Sequence, residues 1–235
     1  MAKSTVEEIR ERFDNDVERF SNMDTGQVST IDATISLELI TEAARRIVPH
    51  AKQLLDIGCG AGNYTLKMLE KLPSLDCTLL DLSKPMLDRA SMRVTASSAL
   101  SVNLVHADLR EAALPENGFD IILAGAVLHH LRDDSDWETV FAKIFRLLRP
   151  GGCFMISDLV IQESELMTGY TWERYGDYLE SVAGKEYRQK VLDYVAKEDS
   201  PRSVTYQLDL MKSVGFSQVE ILHKNMCFAA FGGIR

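Results

Sequence analysis

Hydrophobic positions change their period twice along this chain, and the changes divide it. Val6 to Phe20 and Ile31 to Val48 carry apolar residues at helical spacing, the second with Ser29 or Thr30 placed to cap it and Pro49 to stop it. Two opening helices follow. Beyond them, short apolar runs at Gln53 to Ile57, Thr78 to Leu82, Val102 to His106, Phe119 to Ala124 and Cys153 to Ser157 alternate with helical stretches. Such alternation predicts a parallel, doubly wound sheet. Ser83 caps one intervening helix, with Pro85 in its first turn, and Pro150-Gly151-Gly152 closes another that begins near Asp136.

From Gln162 to Ser200 the strand rhythm stops and the chain becomes charged and aromatic, with Tyr170, Trp172, Tyr175, Tyr178, Tyr187 and Tyr194. This reads as a helical insertion or lid. The rhythm resumes with a helix from Ser203 to Val214, ended by Gly215, and two apolar runs, Val219 to Leu222 and Met226 to Phe231, separated by His223-Lys224-Asn225. Strands so close in sequence must pair antiparallel.

With 235 residues, 46% of them hydrophobic, the chain supports one sizeable core. A net charge of −9 and scattered Lys and Arg leave little positive charge for phosphates, so nucleic acid is not expected as a partner. The opening MAKSTVEEIRERF has no apolar signal region, and the longest apolar run, Ile121 to Leu128, is too short to span a bilayer. A cytoplasmic protein without membrane contact is the expectation; nothing here sets its oligomeric state. Cys59, Cys77, Cys153 and Cys227 form no CxxC pair, so no metal site and no disulfide framework is expected.

The strongest local signal is LLDIGCGAGN, Leu54 to Asn63, where a buried strand ends in an acid and runs into Gly58, Gly60 and Gly62 ahead of a helix. Glycines there let a ligand approach the backbone closely. A dinucleotide fingerprint needs its third glycine at position 63, which is Asn63, and no GK[ST] follows for a phosphate loop. Asp56 precedes the glycines, where a carboxylate repels a pyrophosphate and suits a cationic ligand. Two further acids, Asp81 in LLDLS and Asp108 in VHADL, end the next two strands. In a doubly wound sheet all three line one crevice at the carboxyl ends, Asp81 placed for ribose hydroxyls and Asp108 for an exocyclic amine. Any one of them alone reads as a helix cap or a solvated loop acid.

LLDIGCGAGN, LLDLSKPML, HADLREAALPENGFDIILAGAVLHHL and LRPGGCFMISD, together covering Leu54 to Asp158, resemble successive motifs of the class I S-adenosylmethionine-dependent methyltransferases. The ending KSVGFSQVEI…FAAFGG is similar to that family's closing hairpin. The resemblance implies an α/β, Rossmann-like doubly wound fold: a mostly parallel seven-stranded sheet with a C-terminal antiparallel hairpin and a helical cap. One methyltransferase domain, 1–235, would then comprise cap helices (1–48), a cofactor-binding core (51–158), the insertion or lid (159–202) and the closing helix and hairpin (203–235). S-adenosyl-L-methionine is the implied cofactor. Asp56, Gly58, Cys59, Gly60 and Gly62 would surround its methionine moiety, Asp81 its ribose, Leu82 its adenine, and Asp108 and Leu109 the adenine amino group. Ala124, Gly125 and His129 would pass beneath the methionine and the sulfonium.

His129 and His130 follow the fourth strand, where either can face an acceptor as a general base near neutral pH or serve packing. Asp158, ending the fifth strand, is placed to touch an acceptor or to cap the following segment. His129 and Asp158 are the candidate catalytic residues. In the insertion, Tyr170, Trp172 and Arg174 are the candidate acceptor contacts of a lid, while Tyr175 and Tyr178 have the spacing of a packed helix face. If the insertion is structural instead, selection falls to Phe13, Phe20 and Met23. A small-molecule acceptor is expected. One rival reading is a carboxy-S-adenosylmethionine synthase, which the CFAAFGG ending also resembles and for which Arg188, Lys190 or Arg202 would have to supply a cation. The other is a non-catalytic S-adenosylmethionine-binding module.

Overall fold

A computed structural model describes residues 3–22 and 27–235. Two short helices open the chain, α1 (Val6–Asn15) and α2 (Val17–Ser21), followed by α3 (Ala33–Ile47). Then come β1 (Gln53–Ile57), α4 (Asn63–Lys71), β2 (Asp76–Asp81), α5 (Lys84–Thr95), β3 (Ser101–His106) and β4 (Phe119–Gly125). After a 3₁₀ turn at Leu128–His130 follow α6 (Asp134–Leu147), β5 (Leu148–Leu159), α7 (Glu165–Glu198), α8 (Val204–Val214), β6 (Gln218–Asn225) and β7 (Phe228–Ile234). The seven strands lie in the order β3-β2-β1-β4-β5-β7-β6, the first five mutually parallel and β7 antiparallel to both neighbours. Strand order reverses between β1 and β4, which opens a crevice at their carboxyl ends. Among the described residues no helix is long and apolar enough to cross a membrane.

Successive side chains of a strand point to opposite faces, so each central strand feeds two cores. Leu55, Ile122, Phe154 and Ile156 pack under Trp137, Phe141 and Ile144 of α6 and Met211 of α8. Leu54, Ile121, Leu123 and Met155 pack under Ile40 of α3, Met68 of α4 and Ala90 of α5. The continuous apolar runs of the sequence are the mark of this two-sided burial.

Four boundaries differ from the expected ones. The first helix is broken at Asp16, whose N–H turns back to the Phe13 carbonyl, and α3 starts from Asp32, held left-handed at φ 56°, rather than from Ser29 or Thr30. Pro150-Gly151-Gly152 does not close a helix: α6 stops at Leu147, and the triplet belongs to β5, tied to Arg235 by backbone hydrogen bonds of 2.9 Å from Gly151 and to Gly152. His223-Lys224-Asn225 is strand, because it pairs with Ala230, Ala229 and Phe228, and the reversal falls at Met226-Cys227.

The insertion is two helical halves joined where Ala183 and Gly184 leave helical geometry. Tyr175, Leu179, Val191 and Val195 bury one face against Ile31, Leu159 and Phe228, and the Tyr175 hydroxyl donates to the Ser29 carbonyl at 2.8 Å. Its ends meet at an isolated bridge between Ile161 and Ser203. Gly184, at φ 84° and ψ −179°, occupies backbone space that is nearly glycine-only, yet a Cβ there would touch nothing within 4 Å. Gly184→Ala is therefore expected to cost about 1–3 kcal/mol from backbone strain alone. Gly169→Ala, equally uncrowded but helical, should gain about 0.5–1 kcal/mol. Urea midpoints of the two variants check this; equal shifts would deny the kink.

Candidate active site

At the end of β1 the chain must turn sharply toward α4, and Gly58, Gly60 and Gly62 do so at φ 61°, 50° and 84°. A Cβ on Gly58 would lie 2.5 Å from Val127, whereas on Gly60 it would enter open space. Gly60 thus presents bare backbone to a cavity that runs along the strand ends, lined by Gly58, Cys59, Gly60, Asp81, Leu82, Asp108, Leu109, Gly125, His129 and Asp158. Gly62 and Ala124 lie outside that lining: Gly62 packs against Ala90 and Val94, and Ala124 is buried in the core.

Asp81 fixes the loop. One carboxylate oxygen accepts the Gly60 N–H at 2.8 Å and the other accepts the Ser83 N–H at 2.8 Å. Asp108 is held by Arg110, which also reaches Asp136 at 3.0 Å. Asp56 does not face the cavity. It is fully buried behind the loop, where Oδ2 accepts the Thr65 N–H at 3.1 Å and hydroxyl at 2.6 Å, and Oδ1 has no partner. Burial pushes its carboxyl up to about 7, against the Thr65 hydrogen bonds.

Across the cavity, Asp158 accepts the N–H of the next residue, Leu159, at 2.7 Å, but turns mainly toward the His129 turn. Its Oδ2 accepts the Leu128 and His129 N–H groups at 2.8 and 3.2 Å, and its Oδ1 takes His129 Nδ1 in a short contact. Asp199, at the end of the insertion, puts Oδ1 3.8 Å from His129 Nε2 and 3.2 Å from His130 Nδ1. Burial alone lowers His129, but the Asp158 and Asp199 carboxylates outweigh it and raise the imidazole to about 9. His129 is therefore charged at neutral pH, with Nδ1 donating to Asp158. Burial and the neighbouring His129 charge lower His130, which stays neutral.

Tyr170, Trp172 and Arg174 do not line the cavity. Tyr170 is exposed, Trp172 packs beside Tyr175, and Arg174 pairs with Asp177 at the surface. Helical period explains this: the buried face of the insertion is set by Tyr175 and Leu179, and Tyr175, Tyr194, Val195 and Asp199 reach the cavity instead. Phe13 and Phe20 do line it; Met23 lies outside the described residues. The opening helices are pinned over the crevice, since the Ser83 hydroxyl donates to Asp14 at 2.6 Å and the Asn63 amide to the Phe20 carbonyl at 2.9 Å. Asp199 and Arg12 escaped sequence reading because neither lies in a motif.

A family model described as a methyltransferase domain matches residues 54–152. A demethylmenaquinone methyltransferase of Listeria monocytogenes is 27% identical over 179 residues, 74% of each chain. A carboxy-S-adenosyl-L-methionine synthase of Campylobacter concisus is 28% identical over 201 residues, 84% of this chain and 83% of that one. Human N-acetylserotonin methyltransferase, solved with S-adenosylmethionine, shares the fold at a TM-score of 0.62 and 17% identity, over 95% of this chain and 57% of its own. The chain spans a little over half of that structure. These likenesses, with the sheet order, the glycine loop and the strand-end acids, support a class I S-adenosylmethionine-dependent methyltransferase.

The lining fits that cofactor. Four carboxylates, Asp81, Asp108, Asp158 and Asp199, face the cavity, and its arginines are engaged: Arg12 with Glu198, Arg19 with Asp16, Arg110 with Asp108. Such a wall suits a cation without phosphates.

Asp56 has a consequence for stability. Its folded pKa is raised above the ordinary 3.8, so the contribution of the protonated form is complete below that value and lost as pH rises through about 7. Asp56→Asn lacks this titration. Its urea midpoint relative to wild type should therefore move in the variant's favour from pH 5 to pH 8, and a constant difference would show that Asp56 is not a strained buried acid.

Proposed function

We propose that this methyltransferase acts on a small-molecule acceptor in the cytoplasm, by in-line displacement within the cavity that joins the glycine loop to the His129–Asp158–Asp199 cluster. The observation that carries this reading is the continuity of that cavity. Its acceptor side is walled by Ile9, Phe13 and Phe20 from the opening helices, Tyr175 and Tyr194 from the insertion, and Phe228 from the hairpin. A chamber closed by the chain's own helices suits a compact, largely apolar molecule better than a polymer. A relative named for demethylmenaquinone supports the same class of acceptor. Four buried, unpaired cysteines suit a reducing compartment.

When bound, S-adenosylmethionine supplies a methyl group activated by its sulfonium. The chain's part is position. Asp81 accepts hydrogen bonds from ribose hydroxyls while keeping Gly60 in place, Leu82 and Leu109 flank the adenine, and Asp108 receives its amino group. Gly58, Gly60 and Gly125 let the backbone pass close to the methionine part. His129, fixed by Asp158, orients the acceptor so that its nucleophile stands roughly 3–3.5 Å from the methyl carbon. Modification of the cofactor's own methyl is not favoured. Arg188 and Arg202 pair with acids, and neither they nor Lys190 line the cavity, so none is placed to hold an added carboxylate.

Calorimetry tests the reading: S-adenosylhomocysteine should bind one site per chain and NAD none. Asp81→Asn should weaken that binding roughly 10- to 100-fold, the value of a hydrogen bond to a charged group. Wild-type affinity in the variant, or preferential NAD binding, would overturn it.

A further inference from the structure

Three polar atoms converge on the acceptor side of the cavity without satisfying one another. His129 Nε2 and Asp199 Oδ1 stand 3.8 Å apart, beyond a direct hydrogen bond. His130 Nδ1 is 3.2 Å from the same oxygen but out of line, so both His130 nitrogens and Asp199 Oδ1 are buried with no hydrogen-bond partner. All three residues have a ligating atom within 4.8 Å of the others'. Asp199 is 4% exposed, and an ionised carboxylate oxygen so buried is costly unless something donates to it. His129 cannot turn to do so, because Asp158 holds its other nitrogen. The group that completes the cluster must donate to Asp199 Oδ1 and accept from His129 Nε2 at once. A hydroxyl does both, as does a water holding its place; an aliphatic amine is an ammonium at neutral pH with no lone pair to offer, and an ether has no proton to give.

Around this polar cradle the wall is aromatic. Phe13 meets His130 edge-on at 5.8 Å, and Tyr175 meets Phe228 edge-on at 5.3 Å. Flat rings packed this way favour a flat, apolar body.

We infer that the acceptor is a hydroxylated aromatic molecule whose oxygen sits between His129 and Asp199, with Asp199 a catalytic residue of the site. The inference rests on the methyl-transfer reading above. As the oxygen–carbon bond forms, the sulfur–methyl bond breaks and its electron pair stays on sulfur. The hydroxyl proton passes to Asp199 Oδ1. His129 keeps its own protons and stabilises the negative charge that develops on the oxygen.

The test uses 2-naphthol and its methyl ether, 2-methoxynaphthalene, titrated in parallel into the protein saturated with S-adenosylhomocysteine. Naphthol should bind at least tenfold more tightly than the ether, and Asp199→Asn should remove most of that difference. Binding of S-adenosylhomocysteine by the variant shows that it is folded, and the wild-type comparison needs no variant at all. Equal affinities for naphthol and ether, or no binding of either, would overturn the inference while leaving the cofactor reading intact. Failure of S-adenosylhomocysteine to bind would strike the cofactor reading instead. Stoichiometric divalent metal in the purified protein, or naphthol binding abolished by a chelator and restored by zinc, would assign the cluster to a cation and also overturn it.

Discussion

Everything functional in this molecule depends on parallel strands ending at the same edge. Because β1 to β5 point one way, the last residues of each arrive together, and the strand order parts between β1 and β4. Asp81, Asp108, Gly125 and Asp158 come from four different strand ends or the loops just beyond, yet they face one cavity. The burial of the strands on both faces is what makes this edge rigid. Leu54 and Leu55, neighbours in sequence, lie in opposite cores and cannot slip without exposing both.

On that frame the electrostatics divide in two. The glycine-loop side is a carboxylate wall whose negative charge is partly spent on backbone: Asp81 holds the Gly60 loop and the start of α5. The opposite side holds a cation, His129, wedged between two aspartates. Its charge persists in a buried place because Asp158 and Asp199 outweigh the cost of desolvation. The two aspartates differ in what remains to them. Asp158 also accepts three backbone N–H groups, while one oxygen of Asp199 is left without a donor.

The sheet and the glycine-loop side of the cavity were legible in the sequence because local rules govern them. Two-sided strands produce continuous apolar runs, and a turn between strand and helix that must admit a ligand demands glycine. Asp56 shows the limit of such reading, since its place in the motif is that of a cavity acid while its side chain points backward to Thr65. The opposite wall was less legible because tertiary contacts decide it. Tyr170, Trp172 and Arg174 look as suitable as Tyr175 and Tyr194; only the rotation of the helix against Phe228 and Ile31 chooses between them. Asp199 has no motif at all, and its place in the cluster arises from where a helix of the insertion ends beside the His129 turn.

The bridge between Ile161 and Ser203 joins the two feet of the insertion. A segment that leaves and rejoins the sheet at one point is a closed excursion, whose length changes at little entropic cost to the rest of the chain. The sheet and its glycine loop can then remain constant over evolutionary time while the excursion is lengthened, shortened or replaced. Descendants of one such scaffold would keep the same methyl donor and diverge in what they methylate, with the acceptor chamber inherited as an exchangeable part.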